Sequence, residues 1–417
     1  MTHIRLAQGF YELTGQYLWI SIFIVTQGTS PFLWSQVKDP ETKATHDFGI
    51  EIAGEYRYFY DGPQFADQLD QYPSLAFIPE YSVERDSGYE SLNFKGFVRL
   101  DRDDERTHWD VRELFYQKAK GNWELSIGLK KIFWGVIESN HLVDIINQTD
   151  AVETFDGEQK LGQPMVQFSW ITNKFGTFDF FYLPFHRQRT FPGEKGRLRF
   201  GTVINQDDID YESGAAEWRQ DLALRWKHYI GAFDLGISHF YGNGREPLFV
   251  FTPDGEINSF YPVINQTGFD MQITHDAFLW KLESIYRYAD AQDFFAFAAG
   301  LEYTFSNIDG NGLDIGILGE YLYDERDELT LNGLQNDIFI ASRIAFNDVQ
   351  DTSILIGGLM DLESSSRIFS LEASRRFGSN WTAEVEARIF SSIDNSELIF
   401  GNFREDSFLR LAISRFF

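Results

Sequence analysis

The chain has 417 residues, with 63 acidic against 36 basic side chains and a formal net charge of −27. That balance argues against a nucleic-acid partner, because a backbone binder needs a basic face to displace counterions, and against adhesion to an anionic membrane surface. Cysteine is absent, which removes a disulfide framework, thiolate metal ligands and a cysteine nucleophile.

Aromatic residues make up 17% of the chain although 24% is charged. A soluble core seldom needs so many rings beside so many charges. A transmembrane β-barrel needs both, with apolar side chains facing lipid and polar ones facing the lumen. A large Phe-rich β-sandwich or solenoid is the competing architecture.

In chain order, the first feature is the apolar run YLWISIFIVTQ at 17–27. It is too short to span a bilayer as a helix, which takes roughly 20 residues. With His3 and Arg5 before it and GTSPFLWSQ after it, it reads as a secretory leader covering 1–36; a buried strand is the alternative. No other segment suits a membrane helix, so a membrane location requires a barrel over 37–417.

From about residue 46 the chain alternates with period two in stretches of 10–14 residues. GIEIAGEYRYFY sets Ile50, Ile52, Tyr56, Tyr58 and Tyr60 opposite Glu51, Glu55 and Arg57. GLDIGILGEYLY sets Ile315, Ile317 and Tyr321 opposite Asp314 and Glu320, and WTAEVEARIF sets Val385 and Ile389 opposite Glu384, Glu386 and Arg388. A helix would scatter these charges around its circumference, whereas a strand sorts them by face.

The connections alternate in length as well. KGN (120–122), NKFG (173–176), NDVQD (347–351) and GSN (378–380) are tight turns, while the segments near 135–163, 188–214 and 243–265 are long. Counting back from the end, every long connection falls on one side only if a strand lies within 74–83, despite Pro79. The expectation is an all-β, antiparallel up-and-down transmembrane barrel of about 18 strands. The closing run SFLRLAISRFF ends on Phe417, which matches the terminal aromatic read by the bacterial barrel-insertion machinery, with Arg415 where an apolar residue is usual.

No motif for catalysis stands out: there is no G-x-S-x-G, no H-E-x-x-H and no phosphate-cradling loop. His108, His239 and His275 lie in or near strands without a readable Ser and acid partner, so they read as rim aromatics. NIDGNG (307–312) and DRDDER (101–106) lack a full calcium ligand series and read as a turn and a solvated loop. The expectation is a non-enzyme with no cofactor and no metal. The long connection after residue 134 is different in kind, because Val136, Ile137, Leu142, Val143, Ile145 and Ile146 are badly placed in water. It is expected to fold into the lumen as a constriction loop, with a helix or loop lying on the rim as the alternative.

This same stretch resembles a known family. A strand carrying RE followed by an aromatic, a short turn, an L-x-x-G-x-x-x-x-x-WG strand and a downstream D-x-x-N-x-x-D match at Arg112, Glu113, Phe115, Gly128, Trp134, Gly135, Asp144, Asn147 and Asp150, and FIPEYSVE (77–84) is similar to an early PE strand. The pattern resembles the domain-of-unknown-function outer-membrane barrels of Gram-negative bacteria, some of which are found beside exporters of the resistance-nodulation-division class and are suspected of handling hydrophobic compounds. Gly128-Leu129-Lys130 replaces the family's Gly-Arg-Gln, and NQTD replaces NPRD.

The resulting expectation is a porin-like outer-membrane channel passing a small molecule. Trp134, Gly135, Asp144, Asn147 and Asp150 would shape the constriction, Arg112, Lys130, Glu320, Glu372, Glu384, Glu386, Arg388 and Arg410 would line the lumen, and Phe417 would be the insertion signal. Expected partners are the outer-membrane lipid bilayer, the insertion machinery and a periplasmic transport partner, with no nucleic acid. A non-conducting barrel that docks a periplasmic or extracellular partner is the rival, and an outer-membrane hydrolase comes third.

Overall fold

The computed structural model describes residues 37–39, 44–290, 292–326, 331, 333–395 and 397–417. The expected leader at 1–36 lies outside the described residues. A short β1 (Val37–Asp39) pairs with the start of β2 (Ala44–Phe59), and β2 opens the barrel. There follow β3 (Gln71–Arg85), β4 (Glu90–Asp101), β5 (His108–Lys120), β6 (Trp123–Lys130), β7 (Gln163–Thr172), β8 (Gly176–Leu183), a short β9 (Ile204–Tyr211), β10 (Asp221–Ile230) and β11 (Phe233–Asn243). Beyond these come two short strands, β12 (Leu248–Phe251) and β13 (Ile257–Tyr261), then β14 (Val263–His275), β15 (Phe278–Ala289), β16 (Phe294–Ile308), β17 (Leu313–Asp324), β18 (Asn336–Ala345), β19 (Ser353–Asp361), β20 (Arg367–Phe377), β21 (Trp381–Ser391) and β22 (Phe408–Phe416).

Leaving out β1, β9, β12 and β13, these strands form a closed antiparallel barrel of 18 strands, each paired with its chain neighbours and β22 paired back to β2. Closure removes the sheet edges that an open sheet would present. Phe417 exchanges backbone bonds with Ile50, and Arg415 lies over the rings of Trp381 and Phe417, 5.2 and 4.4 Å from their centres. The strand that the turn parity demanded is β3. Pro79 sits where the β3–β4 pairing skips two residues, between Phe77–Val98 and Glu80–Lys95, so its missing N–H breaks no rung.

Connections alternate as expected. Tight turns at 121–122, 173–175, 231–232, 276–277 and 378–380 share one end of the barrel, and the long connections 131–162, 184–220, 244–262 and 392–407 share the other. β9 and β13 pair in parallel and β12 joins them, making a small three-stranded sheet within the long connections. The outer surface carries exposed large apolar groups along the strands, among them Leu100, Trp170, Trp280, Ile317, Ile340 and Ile413. Inward positions on the same strands are charged and buried: Glu55 and Arg57 on β2, Glu283 on β15, Glu320 on β17. Such a polarity, with apolar groups outside and charges inside, inverts that of a soluble domain and suits a hydrocarbon surround.

The two faces are expected to differ in tolerance. Ile317→Arg places a charge on the apolar belt and should cost roughly 2–4 kcal/mol if near the midplane. Glu384→Lys, on the inner face, should leave folding intact. Reversible unfolding of both variants in lipid vesicles checks this; equal destabilisation would contradict the face assignment.

Candidate functional site

β6 ends at Lys130, and the chain turns into the lumen before Trp134 is reached. Trp134, Ile137, Val143, Ile145 and Ile146 are all buried, packed against inward side chains of the β7–β17 wall such as Phe181, Phe240, Ile264 and Ile285. Small wall residues make room: Ala296 and Ala298 are fully covered, and a Cβ on Gly268 would meet Val143 at 3.2 Å. Burying each large apolar side chain contributes roughly 1.5–3 kcal/mol. Ordering each residue's backbone costs roughly 1–2 kcal/mol. Apolar packing alone therefore does not hold a loop this long, and polar ties must add to it.

Two wall carboxylates supply the strongest ties. Glu283 accepts N–H bonds from Val136, Ile137 and Val143, and Glu320 accepts from the Glu138 and Ser139 N–H groups and the Ser139 hydroxyl. These satisfy loop backbone donors that have no sheet partner. Gly135, at φ +146°, is the residue that permits the approach: a Cβ there would lie 3.0 Å from Glu283 and 3.1 Å from His141. The loop tip is tied beyond this, since Arg343 donates to Glu138 at 2.6 Å.

The base of the loop is fixed by the residues that the sequence pattern singled out. Asn147 accepts from the Ile132 N–H and donates to the carbonyls of Lys130 and Leu161, joining the loop's two ends. Asp144 accepts a long bond from the Trp134 N–H and pairs with Lys160 at 3.3 Å. Asp150 accepts from Arg112 at 2.6 Å and from Thr190 at 2.7 Å. Arg112 is the extra residue of a bulge, because Lys95 pairs with Glu113 and Gly96 with Val111. Gly128, at φ +137°, faces that strand so closely that a Cβ would meet the Leu114 carbonyl at 2.2 Å.

A second set of ties was not foreseen from sequence. Arg99 makes a two-pronged contact with Glu153, at 2.8 and 2.7 Å, and Arg106 reaches Glu55 and Asp101. The DRDDER segment is thus solvated only in part: Arg102, Asp104 and Glu105 are exposed, whereas Asp103 and Arg106 are buried and Arg106 reaches the lumen residue Glu55. The connection 184–220 also comes inward. Arg197 donates to Asp406 at 2.6 Å and Leu198 N–H bonds the same carboxylate, so residues 195–200 cross to the β21–β22 connection and roof the lumen at the long-loop end. Nothing in the alternation of strands marks these loop pairs; only an Arg and an Asp in long connections hint at them.

What remains open is a cavity of about 710 Å³ along the opposite wall, formed by β18–β22 and β2–β5. Arg112, Glu372, Glu384, Glu386, Arg388 and Arg410 line it. Of the other expected lumen residues, Glu320 lies beneath the loop and is engaged by it, and Lys130 bonds Ser126 and Gln167 on the wall. Asp144 and Asn147 sit at the loop base, away from the cavity lining. The charged wall is self-paired: Glu55 is surrounded by Arg57, Arg99, Arg106 and Arg410, and Arg388 bonds Glu372 at 2.6 Å.

Compared with protein-family models and with curated sequences, the chain has no match. Solved structures do match. OccD3 (OpdP) of Pseudomonas aeruginosa aligns with a TM-score of 0.51 at 8% identity, covering 89% of this chain and 91% of that one. Wzi of Escherichia coli, described as an outer-membrane protein involved in group 1 capsule assembly and a carbohydrate-binding β-barrel, aligns at 0.51 and 10%, covering 88% and 83%. A mutant of the Rh. blastica porin aligns at 0.44 and 10%, covering 89% and 100%. At these identities the likeness to OccD3 and Wzi establishes a fold shared with outer-membrane barrels.

Two tests follow from the loop geometry. Glu283→Ala leaves three loop N–H groups without their acceptor and should weaken docking by roughly 1.5–3 kcal/mol for each charge-assisted bond lost. The readout is protease cleavage within 138–150 on a barrel that still resists unfolding; unchanged protection would mean the carboxylate is not the tie.

The second test uses pH. Burial alone would depress His141, but its bond to Glu158 and the charges of Glu158, Glu283 and Asp144 outweigh that and hold it at about 9. Its raised value means that its contribution is complete below its ordinary value of 6.5 and is lost as pH rises through about 9. Loop cleavage should therefore accelerate across that range, and His141→Gln should remove the pH dependence.

Proposed function

We propose that the protein is an outer-membrane channel that passes a small molecule through the space left beside the inward loop, without enzymatic chemistry. The carrying observation is the division of the lumen: the loop residues 132–146 pack on the β7–β17 side, while a cavity of about 710 Å³ stays along the charged wall. The loop sets the width, and interleaved acids and bases set a transverse field that orients polar solutes. The pattern at Arg112, Glu113, Gly128, Trp134, Gly135, Asp144, Asn147 and Asp150 supports grouping it with the Gram-negative domain-of-unknown-function barrels, where an exporter or other periplasmic partner would complete the path. Phe417 would serve the insertion machinery.

One observation favours the rival reading of a barrel that binds without conducting. The roof at 195–200 is pinned by a buried Arg197–Asp406 bond, and Wzi, of the same fold, is described as carbohydrate binding. Single-channel recording in planar bilayers separates the two. A steady open pore is expected, and deleting 138–150 should enlarge its conductance and relax exclusion of bulky solutes while the barrel still folds. A silent native barrel would favour the rival, and an open pore with unchanged conductance in the deletion would show that the loop does not set the width.

A further inference from the structure

The cavity lining holds an apolar cluster and a charged wall side by side. Among the long loops the cluster is largely aromatic, with Phe155, Phe200, Leu334, Leu359, Phe400 and Phe403, and Asp156, Glu158, Arg189 and Arg199 lie around it. Phe155 and Phe403 lie 6.2 Å apart edge to face, and Phe200 lies 6.3 Å from Phe403, so the rings frame one apolar compartment rather than scattered contacts. Next to this cluster the wall carries charge at mid-height of the barrel, with Glu372, Glu384, Glu386, Arg388 and Arg410 on the adjacent strands β20–β22. Across the whole lining, basic and acidic side chains number ten and nine, so neither sign dominates. Most are already paired, as in Arg410 with Glu55 and Arg388 with Glu372. Two carboxylates stay about half exposed to the cavity, Glu372 at 50% and Glu384 at 47% of the side chain, and each lies beside a guanidinium, Arg388 and Arg410 respectively.

We infer that this cavity is a binding site for a small amphipathic zwitterion, held with its apolar body among Phe155, Phe200, Phe400 and Phe403 and its doubly charged head between the Glu372–Arg388 and Glu384–Arg410 pairs. The inference deepens the channel reading, since it assigns a substrate class to the same lumen. A head with both charges exchanges partners with both members of each pair and leaves no buried charge uncompensated. A monoanion would face the half-exposed Glu372 and Glu384, and a monocation that engaged both carboxylates would draw them from Arg388 and Arg410, so either leaves a charge unrelieved. A wholly polar solute would leave the aromatic compartment uncovered, and a wholly apolar one would desolvate the charged wall. The volume is in the range of small-molecule sites, roughly 300–1,000 Å³.

The test is calorimetric titration of the purified full-length barrel in nanodiscs with three probes at neutral pH: the zwitterionic dipeptide phenylalanyl-phenylalanine, its N-acetyl derivative (an anion) and glycylglycine (a zwitterion without an apolar body). The first should bind, and each of the others should bind at least about tenfold more weakly. Phe403→Ala should weaken the first probe by about tenfold or more, and Glu372→Gln combined with Glu384→Gln should abolish the preference over the N-acetyl probe. Should Phe403→Ala fail to fold, the half-exposed Glu pair carries the test alone. Equal binding of glycylglycine, equal or tighter binding of the anion, or binding indifferent to the Glu pair would overturn the inference. Conductance on the same preparation separates the two claims: an open pore that takes up none of the probes overturns the site and keeps the channel, whereas a silent barrel that binds the dipeptide keeps the site and removes the channel.

Discussion

Glu283 on β15 and Glu320 on β17 both face the lumen and hold between them the N–H groups of Val136, Ile137, Glu138, Ser139 and Val143. Everything else about the lumen follows from that contact. A chain segment that leaves the sheet carries unpaired backbone donors, and it can be buried only where acceptors wait for it. The wall supplies carboxylates at those points and small side chains around them, and the apolar groups of the loop then close over the arrangement. The loop in turn shields the carboxylates, so each side makes the other's burial tolerable.

The charges left over are organised by pairing. Glu55 receives four guanidinium groups, and the bidentate contact of Arg99 with Glu153 carries the loop's far end to the β4 wall. Pairs of this kind add little net stability over apolar packing of similar shape, but removing one partner strands the other at a cost of several kcal/mol. Their effect is specificity of position. The loop can dock in one register because only that register satisfies Arg112 with Asp150, Arg99 with Glu153 and Arg343 with Glu138 together.

This arrangement also fixes which part of the barrel stays open. The loop covers the wall that carries the apolar groups from Met165 through Ala296 together with Glu283 and Glu320, and it leaves open the wall lined by Glu372, Glu384, Glu386, Arg388 and Arg410. The roof made by residues 195–200 adds Leu198 and Phe200 to the aromatic cluster beside the charged wall.

The sequence by itself determined the barrel. Period-two alternation separates Ile317 and Ile413 from Glu320 and Arg410, because a strand has only two faces and each must match its surroundings. Turn parity then required a strand across Pro79, and β3 is there. The apolar character of 136–146 was enough to send that loop inward, and Asp144, Asn147 and Asp150 were legible as polar groups that a buried loop would need. Only the tertiary structure decided their partners. Asn147 ties the backbone carbonyls of Lys130 and Leu161 together, Glu320 clamps the loop instead of facing open water, and Arg106 and Arg197 leave their loops to become buried anchors. These contacts join residues 14 to more than 200 positions apart. Local periodicity reports which face a residue occupies, but the curvature of the closed sheet sets which faces meet across the lumen, and no neighbouring residue encodes that distance.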